Sequence, residues 1–155
     1  DALSTKATVR VSTIDMPDVD PTQPRLSSLV LVRGSEKLSD ADRKTGHPMI
    51  VGDQILRPMI GEPISKASSK ELTFYFVAYP AAGAEKGTAT VELLNNAQPI
   101  ATAPLQLDAP DAAGRIPHVS RLPLESIAPG TYELRVRLRQ GSSTATRTLQ
   151  FRVVP

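Results

Sequence analysis

Apolar and polar residues alternate along several stretches of this chain, with the period of two that is typical of β-strands with one buried face. The clearest pair is Thr131–Arg139 and Ala145–Val154, separated by a short polar segment around Gly141. Because glycine adopts the backbone conformations of tight turns, the pair predicts a closing β-hairpin. Further strands are predicted at Leu26–Val32, Leu72–Tyr79, Thr88–Leu94, Gln98–Leu107 and Ile116–Leu124. About seven to nine strands are expected in all, since turn signals separate them at the spacing of a β-sandwich.

The alternation also assigns the two faces of each strand. Phe74 and Phe76 share one face of Leu72–Tyr79, whereas Tyr75 and Tyr79 share the other. The first face is assigned to the core, and the second is expected to be covered by the irregular segment 33–70. The predicted core residues are Leu29, Leu31, Phe74, Phe76, Val91, Leu93, Leu134, Val136, Leu149, Phe151 and Val153.

The start of the closing hairpin carries the most specific local signal. Ala128-Pro129-Gly130-Thr131-Tyr132 places a tyrosine just after a Pro-Gly turn, at the beginning of an alternating strand. In immunoglobulin-like sandwiches a tyrosine at this corner hydrogen-bonds to the upstream backbone. We therefore predict an all-β, immunoglobulin-like antiparallel sandwich, with Tyr132 bonded to the segment before it.

Composition supports this fold and divides the chain. The 155 residues include 14 Pro and 9 Gly, which interrupt helices and are tolerated in turns and edge strands. Residues 1–25 are predicted to be an N-terminal extension or linker, with a possible short strand at Thr5–Val11, and residues 26–155 the sandwich domain. Because the chain begins without Met, we expect it to be part of a longer protein.

Several function classes receive no support from the residues. The chain has no Cys. Its net charge is only +2, so no nucleic-acid partner is predicted. It has no apolar run long enough to span a membrane, so no membrane span is predicted. The only imidazoles, His47 and His118, accompany no recognisable nucleophile motif. No catalytic residue, no cofactor and no enzymatic activity are therefore expected.

A cluster of aspartates near the N-terminus raises the question of calcium. Asp15, Asp18 and Asp20, together with Asp1 or Asp53, offer the oxygen ligands that this ion prefers. Their spacing lacks the glycine turn and the closing glutamate of a helix-loop-helix calcium site. Both a calcium site and a solvated, Pro-stiffened linker fit the pattern, and no metal ligand is assigned.

Four blocks of sequence together resemble a known class. They are Leu26–Val32, Leu72–Pro80, Gly114–Pro117 and Ala128–Tyr132, in this order. The set resembles the immunoglobulin-like C-terminal region of bacterial secreted proteins that carry a von Willebrand factor A-type domain upstream. The resemblance implies an extracytoplasmic location and an adhesion-like or assembly role. It also implies a protein partner, either the upstream domain of the same chain or another extracytoplasmic protein.

Two surfaces are candidates for binding. Tyr75 and Tyr79 are suited to stacking on sugar rings if their face is open. Arg135, Arg137 and Arg139 form a row that suits an acidic polysaccharide, a phosphate or an acidic protein, with Arg152 expected opposite Arg135 and Glu133 diluting the charge. The residues therefore predict a non-catalytic structural or protein-interaction module, with carbohydrate or polyanion binding as the alternative.

Overall fold

The computed structural model describes residues 19–155 apart from 46, 48, 84 and 85, and this part of the chain forms an all-β sandwich. The predicted strand Thr5–Val11 lies outside the described residues. The elements of the first half are β1 (Arg25–Leu26), β2 (Val30–Lys37), α1 (Asp40–Thr45), β3 (Ile50–Val51), β4 (Gln54–Pro58) and β5 (Ile64–Ser65). The second half contains β6 (Glu71–Tyr79), β7 (Thr88–Asn95), β8 (Gln98–Leu105), β9 (Ile116–Pro123), β10 (Gly130–Gln140) and β11 (Ser143–Val154).

The described strands form two sheets. In the first sheet, β9 pairs with one side of β6, and β1 and β2 both pair with its other side. β4 follows next to β2, and β3 follows next to β4. The second sheet has the order β5-β11-β10-β7-β8. The described strands number eleven, above the predicted range, because β1, β3 and β5 are two-residue strands that carry no periodicity.

One pairing departs from the predicted antiparallel arrangement. β5 runs parallel to the end of β11, with Ile64 opposite Val153. The chain crosses from the first sheet to the second after β4, and it reaches this edge running in the same direction as β11. The other described pairings are antiparallel.

The predicted closing hairpin and its corner are confirmed. β10 and β11 pair continuously from Gly130 opposite Val153 to Gln140 opposite Ser143. Gly141 lies at the turn with φ of 58°, the left-handed region that favours glycine. At the other end of β10, the Tyr132 hydroxyl donates a 2.8 Å hydrogen bond to the carbonyl of Ala128.

The two sheets enclose a core that matches the predicted one closely. Of the predicted core residues, all are buried except Leu149, which is half-buried. At Leu149, β11 pairs with β10 on one side and with no described strand on the other, so solvent reaches Leu149 from the edge of the sheet. The most deeply buried large side chains include Phe74, Phe76, Leu134, Val136 and Leu138.

The segment 33–70 builds a second, smaller apolar cluster on the outside of the first sheet. The register of β2 against β4 shifts between Val32 and Gly34, so β2 bends there. β3 and β9 lie at opposite ends of the sheet order, yet they contact each other, so the sheet curls over its outer face into a trough. Val32, Leu56 and Tyr75 are buried inside this trough, with Val51 and Val119 packed against them.

Candidate functional site

The two candidate tyrosines do not form an open stacking surface. Tyr75 is 5% exposed, and it lies in the trough with Val32 and Leu56 around it. Burial raises the pKa of its hydroxyl, and the neighbouring Tyr79 raises it further. Tyr79 is half-buried at the end of β6, with the guanidinium of Arg25 4.8 Å from its ring centroid. The curled part of the sheet therefore covers the ring face of Tyr75 that sugar stacking requires.

The candidate arginines do lie side by side on the outer face of β10, where Glu92 of β7 links two of them. Glu92 accepts hydrogen bonds from Arg135 at 3.3 Å and from Arg137 at 3.1 Å. The second side of the Arg135 guanidinium bonds to Glu133 at 2.9 Å. Arg135 is consequently 25% exposed and Arg137 44%. The row is thus a mixed-charge network, with less net positive potential than three free arginines would have.

The neighbours of the row follow from strand register, which the residue pattern leaves open. Glu92 stands directly opposite Arg135, and on the other side β11 places Thr148 there. Arg152 is opposite Thr131, so its expected position across from Arg135 is wrong by four residues along β11. The third arginine, Arg139, bonds through Nε to the carbonyl of Gly141 at 3.4 Å.

The two histidines have separate structural surroundings. His118 lies on the core face of β9, where its ring is 5.3 Å from that of Phe76. Burial lowers the pKa of His118, and the charge of Asp108 acts in the opposite direction. His47 precedes β3 in the curled segment, where its Nδ1 accepts the backbone N–H of Met49 at 3.2 Å.

Among the described residues, no three His, Asp or Glu side chains come together in a way that suits a metal ion. Asp1, Asp15 and Asp18 lie outside the described part of the chain. Asp20 shapes a turn, since its Oδ1 accepts the N–H of Thr22 at 2.8 Å and the Thr22 hydroxyl at 2.6 Å. These hydrogen bonds lower the pKa of Asp20.

The mouth of the trough is a cleft that the pattern of residues does not predict. It has a volume of about 520 Å³, and Val32, Val51, Leu56 and Val119 form its apolar lining. Its polar rim includes Ser35, Gln54, Thr73, Arg33 and Arg121. Gln54 and Leu56 share one face of β4, and Val119 and Arg121 share one face of β9, but only the curl of the sheet brings these strands around one space.

A second groove runs beside the edge of β11, with a volume of about 550 Å³. Leu149 and Phe151 form one wall, and Met59, Ile60 and Pro63 form the other. Ile60 is 80% exposed, the most exposed large apolar residue in the described part of the chain. Within that part, β5 pairs with this edge only at Val153 and Val154, so no described strand pairs with the outer edge of Ser143–Arg152.

Comparison with known proteins gives no matching family model and no curated protein of significant sequence similarity. The described helix, α1, has six residues, and no helix among the described residues is long and apolar enough to cross a bilayer. Inferences about function therefore rest on the sandwich, its surfaces and the resemblance carried by the four sequence blocks.

Proposed function

We propose that this chain is a non-catalytic module that binds a partner protein within a larger extracytoplasmic bacterial protein. The sequence resemblance supports the immunoglobulin-like class, the location and the association with von Willebrand factor A-type domains. The partner is an extended segment, either of the upstream domain of the same chain or of another extracytoplasmic protein. The observation that carries the proposal is the edge of β11.

The strands at sheet edges differ in how they are protected against pairing. β8 contains Pro99 and Pro104, and β9 contains Pro117 and Pro123. Proline lacks the N–H that an added strand would bond, so edges that carry it resist pairing. Ser143–Arg152 of β11 contains neither proline nor lysine. Its charged residues are Arg147 and Arg152, and every residue of Ser143–Arg152 keeps its backbone N–H, so an extended segment can add to this edge through backbone hydrogen bonds.

The groove beside β11 gives such a segment a means of side-chain recognition. In an added strand, alternate side chains point to the same side of the sheet. Those on the core side would enter the groove between Leu149, Phe151 and Ile60, where apolar side chains gain from leaving water. We therefore expect a partner strand with alternating apolar residues.

Selection from a library of extended peptides tests this proposal. Enriched peptides should alternate apolar and polar residues, and in NMR titrations they should shift the backbone amides of Ser143–Arg152. The Ile60→Lys and Leu149→Lys variants should lose binding, because each puts a charge in the apolar groove. Ile100→Lys is the matched control, since Ile100 is 54% exposed on β8. Failure to enrich any peptide, or shifts confined to β8 or β9, would contradict the proposal.

Carbohydrate or polyanion binding is the alternative, through the arginine row. Arg137 and Arg139 keep exposed side chains there, whereas Glu92 and Glu133 neutralise much of the charge of Arg135. Elution from a heparin column tests this alternative. If Arg137→Gln leaves the eluting salt concentration unchanged, the row does not bind polyanions.

A further inference from the structure

We propose that the cleft at the mouth of the trough binds a sugar carrying a carboxylate, such as a uronic acid at the end of an acidic saccharide. This site is separate from the edge of β11 and from the arginine row. It does not depend on the proposed protein partner.

The strand register places four polar side chains on the face of the sheet that lines this cleft. Arg121 is directly opposite Thr73, two pairs along from Tyr75 and Val119, which both pack inside the trough. Because residues two apart on a strand share a face, Thr73 and Arg121 lie on the same trough face as Tyr75 and Val119. On the facing strands, Ser35 is opposite the buried Leu56, and Gln54 is two residues from it, so both lie on the same side as Leu56.

The charge of the cleft favours an anion. Arg121 is exposed, and it makes no ion pair with a carboxylate among the described residues. Arg33, at the rim, uses one guanidinium nitrogen to bond Glu62 at 3.0 Å. The described lining contains no acidic residue. A guanidinium presents paired N–H groups that match the two oxygens of a carboxylate.

The rest of the lining suits a body that is both hydroxylated and apolar on one side. The hydroxyls of Ser35 and Thr73 and the amide of Gln54 donate and accept hydrogen bonds, as a sugar hydroxyl requires. Val32, Val51, Leu56 and Val119 offer a surface for the C–H side of a pyranose ring. The volume of about 520 Å³ lies within the range of small-molecule sites, about 300–1,000 Å³.

Titration of the chain with glucuronic acid, followed by two-dimensional NMR, tests the proposal. We expect saturable shifts of the amides of Ser35, Gln54, Thr73 and Arg121. Glucose, which lacks the carboxylate, and inorganic sulfate, which lacks the ring, should each bind at least about 10-fold more weakly. A charge-assisted hydrogen bond of about 1.5–3 kcal/mol corresponds to a factor of that size or larger.

Variants locate the binding. Arg121→Gln should weaken glucuronic acid binding about 10-fold or more, and Arg33→Gln less, because Arg33 already bonds Glu62. Arg147→Gln, an exposed arginine of β11, is the matched control and should bind as the unchanged chain does. Absence of cleft shifts, equal binding of glucose, equal binding of sulfate, or unchanged affinity in Arg121→Gln would each overturn the proposal.

Discussion

Removing the hydroxyl of Tyr132 tests how the closing hairpin is fixed to the segment before it. The hydroxyl donates to the carbonyl of Ala128 across the corner, and the ring packs on Phe151 with centroids 5.8 Å apart. Tyr132→Phe removes one hydrogen bond and keeps the ring contact. The variant therefore isolates the energetic contribution of the corner.

The exposure of the acceptor determines the size of the expected loss. A neutral hydrogen bond contributes about 0.5–1.5 kcal/mol net to the free energy of unfolding, whereas a buried acceptor left without a hydrogen bond lowers it by about 1–3 kcal/mol. Ala128 is exposed, so water can replace the lost hydroxyl at its carbonyl. We expect Tyr132→Phe to lower the free energy of unfolding by about 1 kcal/mol, which is about 2–4 °C in Tm for a chain of this size.

Urea and thermal denaturation, followed by circular dichroism, measure this difference. Tyr79→Phe is the matched control, because it removes the same atom from a half-buried ring at the end of β6, and it should stay within about 0.5 kcal/mol. Tyr132→Ala, which also removes the buried ring, should cost about 3–5 kcal/mol. Equal stabilities of Tyr132→Phe and Tyr79→Phe would refute the reasoning about the corner.

Four further measurements test other parts of the structure. Leu134→Ala should lower the free energy of unfolding in urea by about 2–5 kcal/mol, because Leu134 is fully buried between the sheets. Glu92→Gln should lower it by about 1–2 kcal/mol, with a smaller loss at high salt, since it leaves two adjacent arginines without their shared carboxylate. Ala97→Gly should raise the thermal midpoint, with a gain of about 0.5–1 kcal/mol, because Ala97 has φ of 63° in the β7–β8 turn. The pKa of His118 is lowered by burial, so the folded chain binds this proton more weakly than the unfolded chain. The stability that neutral His118 contributes should thus be fully present above pH 6.5 and should be lost as the pH falls through the lower pKa of the folded state. Urea midpoints measured across this pH range should therefore depend less on pH in His118→Gln than in the unchanged chain.

The residues alone were sufficient to predict the main sandwich. Period-two alternation identified the faces of β6, β10 and β11, because burying one face of a sheet forces that pattern on the sequence. The corner hydrogen bond of Tyr132 was also predictable, since its acceptor, the carbonyl of Ala128, is only four residues away in the sequence. Leu149 marks the limit of this reasoning: alternation predicts which side a residue faces, but only the sheet order shows that its strand lies at an edge.

The candidate sites depended on tertiary structure. The partners of the arginine row follow from the register of β7 on β10, and Glu92 is 43 positions from Arg135 in the sequence. The trough and its cleft arise from a bend in β2 and from the position of β3, a two-residue strand too short to show a period. The layers and their shared core could be predicted from the residues, because burial of apolar surface imposes a local pattern on each strand. Which polar groups meet could not, because strand pairing and sheet curvature bring together residues whose separation in the sequence carries no signal.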